Sequence, residues 1–212
     1  MMECLYASKE EFLSEYKNCC KAKKEELYLL ILTELKAAIL EDNINSLQKS
    51  SKLIDFISDA EDQVILREYY NSANNPIRNT NLVILACKYD KVKILEHLLS
   101  SNNKLLSKFL VGTSEAIILP DYEDESRHNA FYYAISSGNI KLLDTLMNKW
   151  PGNYFAVNPE ILDEILSHAY EELKLKNVPL LEEMEIFVED KLINLRFFSS
   201  NSNQDQNVKS CL

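Results

Sequence analysis

The sequence predicts an all-α protein, built as an α-solenoid in which helix pairs stack side by side. First, 3 Gly and 5 Pro among 212 residues are too few for the many tight turns of an all-β protein. Second, apolar residues recur at helical spacing along most of the chain. Third, Ala38, Ala86 and Ala134 lie 48 residues apart and mark an internal repeat. A fixed period longer than one helix is typical of stacked units that bury their apolar faces only against one another.

The three copies align without gaps around the shared Ala. Apolar residues occupy matching places three positions before it and six and nine positions after it. They are Leu35, Val83 and Phe131, then Ile44, Val92 and Ile140, then Leu47, Leu95 and Leu143. Asp42, Asp90 and Gly138 stand four positions after the Ala, where the first helix of each copy should end. Gly accepts a positive φ freely and Asp tolerates it better than most residues, so the pattern predicts a left-handed turn at all three.

The third copy carries a family resemblance. Asn129-Ala-Phe-Tyr-Tyr-Ala134, then Ser136-Ser-Gly-Asn139 and a Leu-rich helix, resembles the ankyrin pattern T-P-L-H-x-A, x-x-G-H and a Leu-rich second helix. The copies that begin at Thr33 and Asn81 are similar. All three lack the Pro and His of the pattern, and 48 residues exceeds the usual period of about 33. The resemblance implies a divergent ankyrin-repeat protein whose concave face binds other proteins.

Residues 1–32 are predicted to form an N-terminal capping helix, opened by a capping box at Ser8 and Glu11. A solenoid needs such an atypical amphipathic helix to cover its exposed apolar end. The three repeats then occupy 33–149, and two insertions account for the long period. The first, 58–77, is predicted to hold an extra helix before a Pro-containing breaker. The second, 100–126, is predicted to hold an apolar helical piece and an acidic loop.

The C-terminal part, 150–198, is predicted to be a helix pair that forms a degenerate repeat or a C-terminal cap. Its first helix should begin at Pro159 with Asn158 as N-cap. The aromatic cluster of Trp150, Tyr154 and Phe155 could pack the preceding turn onto the next helix or recognise a partner, and packing is the favoured interpretation. Residues 199–212 are strongly polar and are expected to be a disordered tail.

Charge and motif content narrow the function. A net charge of −10 argues against binding to nucleic acid or to an anionic membrane and favours a basic protein partner. The longest apolar run, 27–32, is too short to span a bilayer, and a cytoplasmic location is expected, with the nucleus also compatible. Five Cys without C-x-x-C spacing, and three His outside any catalytic or metal-binding motif, predict no catalytic, cofactor or metal site.

The resemblance also implies a set of contact residues, because ankyrin proteins bind through the first helix of each repeat and the finger loop before it. The corresponding residues are Glu41 in the first copy, Arg78, Thr80, Lys88 and Tyr89 in the second, and Glu125, Ser126, His128, Ser136 and Ser137 in the third. Tyr89 is the expected anchor, since amphipathic aromatic residues concentrate binding energy. The acidic loop, with Asp121, Glu123, Asp124 and Glu125, is expected to be solvated and to steer a basic partner.

Two other functions stay open at this point. The chain could be a structural, self-associating protein, for which a HEAT-like unit is one form, because a 48-residue period is close to that class. It could also be an enzyme whose site is assembled from scattered carboxylates, which a deep pocket with clustered acids would support. The oligomeric state and the identity of a partner do not follow from the sequence.

Overall fold

The chain is helical throughout the part that the structure describes. The computed structural model describes residues 9–100, 120–150 and 154–209, and these ranges contain helices, turns and loops but no strand. The predicted all-α class is confirmed. The helices are α1 (Lys9–Asn18), α2 (Lys21–Leu40), α3 (Ile44–Ala60), α4 (Gln63–Tyr70), α5 (Leu82–Lys88), α6 (Val92–Leu98), α7 (Ala130–Ser136), α8 (Ile140–Lys149), α9 (Tyr154–Val157), α10 (Pro159–Leu175) and α11 (Glu182–Lys209).

The helices lie in two rows. One row is α2, α5, α7 and α10, in which each helix packs against the next. Each helix of this row also packs against the helix that follows it in the chain: α3, α6, α8 and α11 pack on α2, α5, α7 and α10. Helices α3, α6 and α8 pack against one another in turn and form the second row. A single apolar core runs between the rows, because each helix buries one stripe against its partner and its neighbour.

The turn that ends the first helix of each pair has the conformation that the sequence predicts. Asp42, Asp90 and Gly138 have φ of 56°, 57° and 69°, which confirms the left-handed turn at all three positions. In the first copy the N–H of Asn43 donates to the C=O of Ala38 at 2.8 Å, a bond that satisfies a carbonyl left unpaired at the helix end.

The last helix pair has the same turn, which the repeat spacing does not predict. After α10, Asn177 has φ of 51°, and the N–H of Val178 donates to the C=O of Leu173 at 3.0 Å. Asn is the other residue that accepts this conformation at low cost. The pair α10–α11 is therefore closed in the same way as the first two pairs, in which the N–H groups of Asn43 and Lys91 donate to the C=O groups of Ala38 and Ala86.

Two first helices also begin in the same way. Asn81 accepts a hydrogen bond from the N–H of Ile84 at 2.8 Å, and Asn129 accepts one from the N–H of Tyr132 at 2.9 Å. Both Asn side chains cap the exposed N–H groups at the start of α5 and α7. The three repeat alanines and the three leucines nine positions later are all buried, namely Ala38, Ala86, Ala134, Leu47, Leu95 and Leu143.

The N-terminal helices differ from the predicted division at residue 32. Helix α2 continues without a break from Lys21 to Leu40, so residue 33 lies inside it. Thr33 fits because its hydroxyl donates to the C=O of Leu29 at 2.9 Å, one turn earlier in the same helix. Helix α1 packs on α3 through Phe12, whose ring lies 5.8 Å from that of Phe56. The predicted capping residue Ser8 lies outside the described residues.

The insertions are described only in part. Helix α4 lies in the first insertion, as predicted, and packs on α2. The apolar helical piece predicted in the second insertion falls within 101–119, outside the described residues.

The C-terminal region resolves the choice for the aromatic cluster. Trp150 and Phe155 are buried, and both rings pack on Phe131 of α7, so the packing interpretation is confirmed for these two residues. Asn158 occupies the N-cap position of α10, but its Nδ2 donates to the C=O of Tyr154 instead of capping the helix.

The last helix is longer than the sequence predicts. Helix α11 reaches Lys209 and includes most of the segment for which disorder was expected. Polar composition suggested that disorder, but the segment 182–209 contains no Gly or Pro that would end a helix.

None of the described helices combines the length and the apolar character that crossing a bilayer requires.

Candidate functional site

A cleft of about 270 Å³ opens where the ends of α2 and α5 meet two loops, 71–81 and 120–129. Six of the predicted contact residues line it: Arg78, Thr80, Lys88, Tyr89, Asp124 and Glu125. The other lining residues are Lys36, Ala73, Asn75, Pro76, Asn79 and Leu85. The structure thus brings six of the thirteen predicted residues together in one place.

The first loop is held in shape by its own polar groups. The Tyr70 hydroxyl shares its single proton between the C=O of Ile77 at 3.2 Å and that of Thr80 at 3.1 Å. Burial raises the pKa of Tyr70, so this hydroxyl keeps the proton that it donates. Asn75 is also buried, with its Nδ2 donating to the C=O of Tyr70 and its Oδ1 accepting from the N–H of Ile77. These bonds fix the backbone that carries Arg78 to the cleft.

Asp124 anchors the second loop, and its position corrects the expectation of a fully solvated acidic run. Its side chain is only 2% exposed. One carboxylate oxygen accepts from the Tyr133 hydroxyl at 2.7 Å and from Lys88 Nζ at 3.3 Å. The other accepts from the N–H groups of Ser126 at 2.8 Å and His128 at 3.3 Å. A buried carboxylate requires such partners, so Asp124 holds the loop instead of meeting a partner protein.

The electrostatics of Asp124 follow from the same contacts. Burial opposes its ionisation, but the hydrogen bonds from Tyr133, Ser126, His128 and Lys88 outweigh burial and hold the pKa of Asp124 below its usual range. Lys88 also lies over the ring of Tyr133, 5.0 Å from the ring centre. The three side chains therefore form one charged and aromatic cluster between α5 and α7.

The acidic loop is also tied to the first loop. The N–H of Glu125 donates to the C=O of Asn79 at 3.1 Å. Arg127 turns the chain back with φ of 60°, and its N–H donates to the C=O of Asp124 at 2.9 Å. The side chains of Asp121, Glu123 and Glu125 stay exposed on the outside of this turn, as predicted for the acidic loop.

His128 belongs to a neighbouring cluster that does not line the cleft. Its ring stacks on Tyr132 with the ring centres 3.6 Å apart. Its Nε2 lies 3.0 Å from Lys176 Nζ and 3.5 Å from a Glu172 carboxylate oxygen. His128 thus joins the acidic loop to the end of α10. The spacing of Glu172 and Lys176 predicts their helical ion pair, but the sequence carries no signal that His128 joins it.

The other predicted contact residues lie apart from the cleft. Glu41 is exposed just after α2, and Asp121 and Glu123 lie on the outer side of the acidic loop. Ser136 and Ser137 donate their hydroxyls to carbonyls of their own helix, those of Tyr133 and Ala134. These two hydroxyls close the end of α7 and are not aimed at the cleft.

Sequence reasoning missed several lining residues, of which Lys36 has the clearest chemistry. Its Nζ donates to the C=O of Pro76 at 3.0 Å, across a sequence separation of 40 residues. Lys36 stands at the His position of the ankyrin pattern in the first copy, so the pattern assigned it no separate role. Only the packing of the first loop against α2 reveals that it reaches the cleft.

Comparison of the chain with protein-family models, with curated proteins and with solved structures gives no match. Within the described ranges, no three His, Cys, Asp or Glu side chains are grouped as ligands of a metal ion. The cleft instead offers two kinds of binding group: cations and polar groups, and two exposed side chains, those of Tyr89 and Glu125. Such a mixture suits recognition of a polar peptide or protein surface.

Proposed function

We propose that the chain is a non-enzymatic protein-interaction module, a divergent ankyrin-like scaffold or adaptor that binds a protein partner at the cleft. The observation that carries the proposal is the convergence of five predicted contact residues, from two successive repeats, on one cleft: Arg78, Thr80, Lys88, Tyr89 and Glu125. The resemblance to the ankyrin pattern implies these five positions from the sequence alone. No cofactor or metal is part of the proposal.

The repeat interpretation is supported by three independent features. Two rows of helices stack in the order of the chain, the turns at Asp42, Asp90 and Gly138 share one conformation, and Asn81 and Asn129 cap equivalent helices. Together they support a short solenoid in which α10 and α11 act as a fourth, degenerate repeat. This arrangement presents the ends of the first helices and their loops on one face, where repeat proteins bind.

The chemistry of the partner follows from the side chains that the cleft and the acidic loop expose. Tyr89 is 42% exposed and can place an amphipathic ring against a partner. The exposed carboxylates of Asp121, Glu123 and Glu125 support a partner surface that is basic overall, since complementary charge steers encounter. A cytoplasmic or nuclear location is part of the proposal.

The test is a quantitative pull-down from native lysate with the intact chain and two variants, Tyr89→Ala and Arg78→Glu. Lys93→Glu is the matched control, because Lys93 is exposed on α6 in the same repeat but in the other row of helices. The proposal predicts one or more proteins that the wild type and the control retain and that both cleft variants lose. Equal capture by all four proteins, with unchanged helicity by circular dichroism, would contradict it.

A second candidate function, self-association, is favoured by one specific feature of α11. Ile186, Ile193 and Phe197 are 54%, 64% and 66% exposed, although Met184 and Val188 of the same helix are buried. At about 100° per residue the three exposed side chains fall within about 40° of one another, on the side opposite the buried residues. Terminal units of a solenoid normally present a polar outer face, so this stripe favours packing against a second copy.

Sedimentation velocity over a wide range of protein concentration tests this candidate. Self-association through the stripe predicts a mass that rises with concentration and returns to that of the monomer in Ile193→Lys. Leu175→Lys serves as the control, because it changes an exposed Leu at the end of α10, away from the centre of the stripe. A concentration-independent monomer in the wild type would exclude the candidate.

A further inference from the structure

The charge inside the cleft is opposite to that of the whole chain. The protein carries a net charge of −10, yet the cleft is lined by three cations, Lys36, Arg78 and Lys88, and by two carboxylates, Asp124 and Glu125. Three positive and two negative charges leave the cleft with one net positive charge. A local reversal of this kind marks a place that an anionic group can enter in spite of the surrounding field.

The three cations are not equally engaged. Lys88 is paired with buried Asp124 and lies over Tyr133. The ammonium group of Lys36 has three N–H donors, and one of them donates to the C=O of Pro76. Arg78 is exposed and has no hydrogen-bond or ion-pair partner for its side chain among the described residues. Arg78 and Lys36 therefore have donors that remain available to a ligand.

One further polar group at the cleft lacks a partner. Thr80 Oγ1 is buried and makes no hydrogen bond within the described part of the chain, and Thr80 lines the cleft. Buried polar atoms in native proteins are normally hydrogen bonded. Thr80 therefore adds an unpaired hydroxyl to the lining of the cleft, two residues from Arg78.

We propose that Arg78 and Lys36 bind one side-chain carboxylate, of Asp or Glu, from a segment of the partner protein. The assignment of that carboxylate to a protein partner rests on the proposed function. The planar guanidinium of Arg78 suits two-point binding of a carboxylate. Tyr89 at the edge of the cleft offers its ring to the aliphatic stem of the same side chain.

The charge count selects a carboxylate over a phosphoryl group. One carboxylate neutralises the single net positive charge of the cleft. A phosphoryl group carries about −1.5 to −2 at pH 7 and would leave excess negative charge beside Asp124 and Glu125. The exposed carboxylate of Glu125 also favours a basic residue next to the bound one. The partner segment is therefore of mixed charge, with an acidic residue that enters the cleft and basic residues that meet the acidic loop.

The test is an NMR titration of the ¹⁵N-labelled intact chain with three probes: N-acetyl-glutamic acid amide, N-acetyl-glutamine amide and inorganic phosphate. The inference predicts saturable shifts of the backbone amides of Arg78, Asn79, Thr80 and Tyr89 with the glutamic acid compound, and none with the glutamine compound. Arg78→Gln should weaken the binding at least tenfold, and the control Lys93→Gln should leave it unchanged.

Three outcomes would overturn the inference: no saturable shifts, equal shifts with the glutamine compound, or tighter binding of phosphate than of the glutamic acid compound. Failure of the carboxylate assignment can be distinguished from failure of the protein-binding function by comparing the titration with the pull-down. If Tyr89→Ala loses a partner but no probe binds, the protein-binding function stands and only the carboxylate assignment falls. If the glutamic acid compound binds but the cleft variants retain every captured protein, the cleft is an anion site and the protein-binding function falls.

Discussion

Replacing Gly138 by Ala tests the turn on which the repeat register depends. Gly138 joins α7 to α8 with φ of 69°, a conformation that costs an L residue about 1–2 kcal/mol. A Cβ atom added there would lie 2.6 Å from Cδ1 of Leu181 and 3.0 Å from its Cγ. Leu181 is 61% exposed and can turn away, at a cost of about 0.5–1 kcal/mol for an unfavourable rotamer. We expect Gly138→Ala to lower the free energy of unfolding by about 2 kcal/mol in total.

Urea unfolding followed by circular dichroism measures this change in free energy. In thermal unfolding, the melting temperature should fall by about 4–8 °C for a chain of this length. The double variant Gly138→Ala, Leu181→Ala separates the two contributions, because it keeps the backbone strain and removes the clash. Asp42→Gly is the reverse substitution at the equivalent turn, where φ is 56°, and should stabilise the protein by about 0.5 kcal/mol. A loss below about 0.5 kcal/mol in Gly138→Ala would refute the left-handed turn.

Three further substitutions test the loops and the core. Asp124→Ala leaves Tyr133 and Lys88 without their shared acceptor and should cost about 3 kcal/mol at neutral pH. Because the folded-state pKa of Asp124 is lowered from 3.8, its stabilisation is complete above about pH 4 and is lost as the pH falls through the folded pKa. Urea titrations should therefore show the difference between wild type and Asp124→Ala narrowing below that pH, and a constant difference would contradict the ionised, paired carboxylate. Asn129→Ala removes the cap of α7 and should cost about 1 kcal/mol by the same assay. Phe155→Ala opens a cavity in the packed aromatic cluster and should cost about 3–4 kcal/mol in thermal or urea unfolding; a near-neutral effect would return Phe155 to the candidates for partner contact.

The sequence was informative where structure depends on local chemistry. The turns at Asp42, Asp90 and Gly138 follow from which residues accept a positive φ, and the helix start at Asn129 follows from the capping preference of Asn. Each of these inferences needs only residues within a few positions of one another.

Features that depend on distant parts of the chain could not be predicted. Asp124 reads as one of several solvated acids, and one of its four hydrogen-bond partners, Lys88, is 36 residues away along the chain. Lys36 reaches the cleft only because the loop that carries Pro76 folds back onto α2. The exposed stripe on α11 requires knowing which face of that helix packs on α10, since apolar residues occur on both faces.

The central claim is that the cleft is a protein-binding site, and site-specific photo-crosslinking tests it most directly. A photoreactive phenylalanine analogue replaces Tyr89 in one sample and Lys93 in the other, and both are irradiated in native lysate. Both positions are exposed. Tyr89 lies at the end of α5 and Lys93 lies on α6, so the two belong to different rows of helices. The account predicts a defined crosslinked protein at position 89 that is absent at position 93. Identical crosslinks at both positions, or none at position 89, would contradict it.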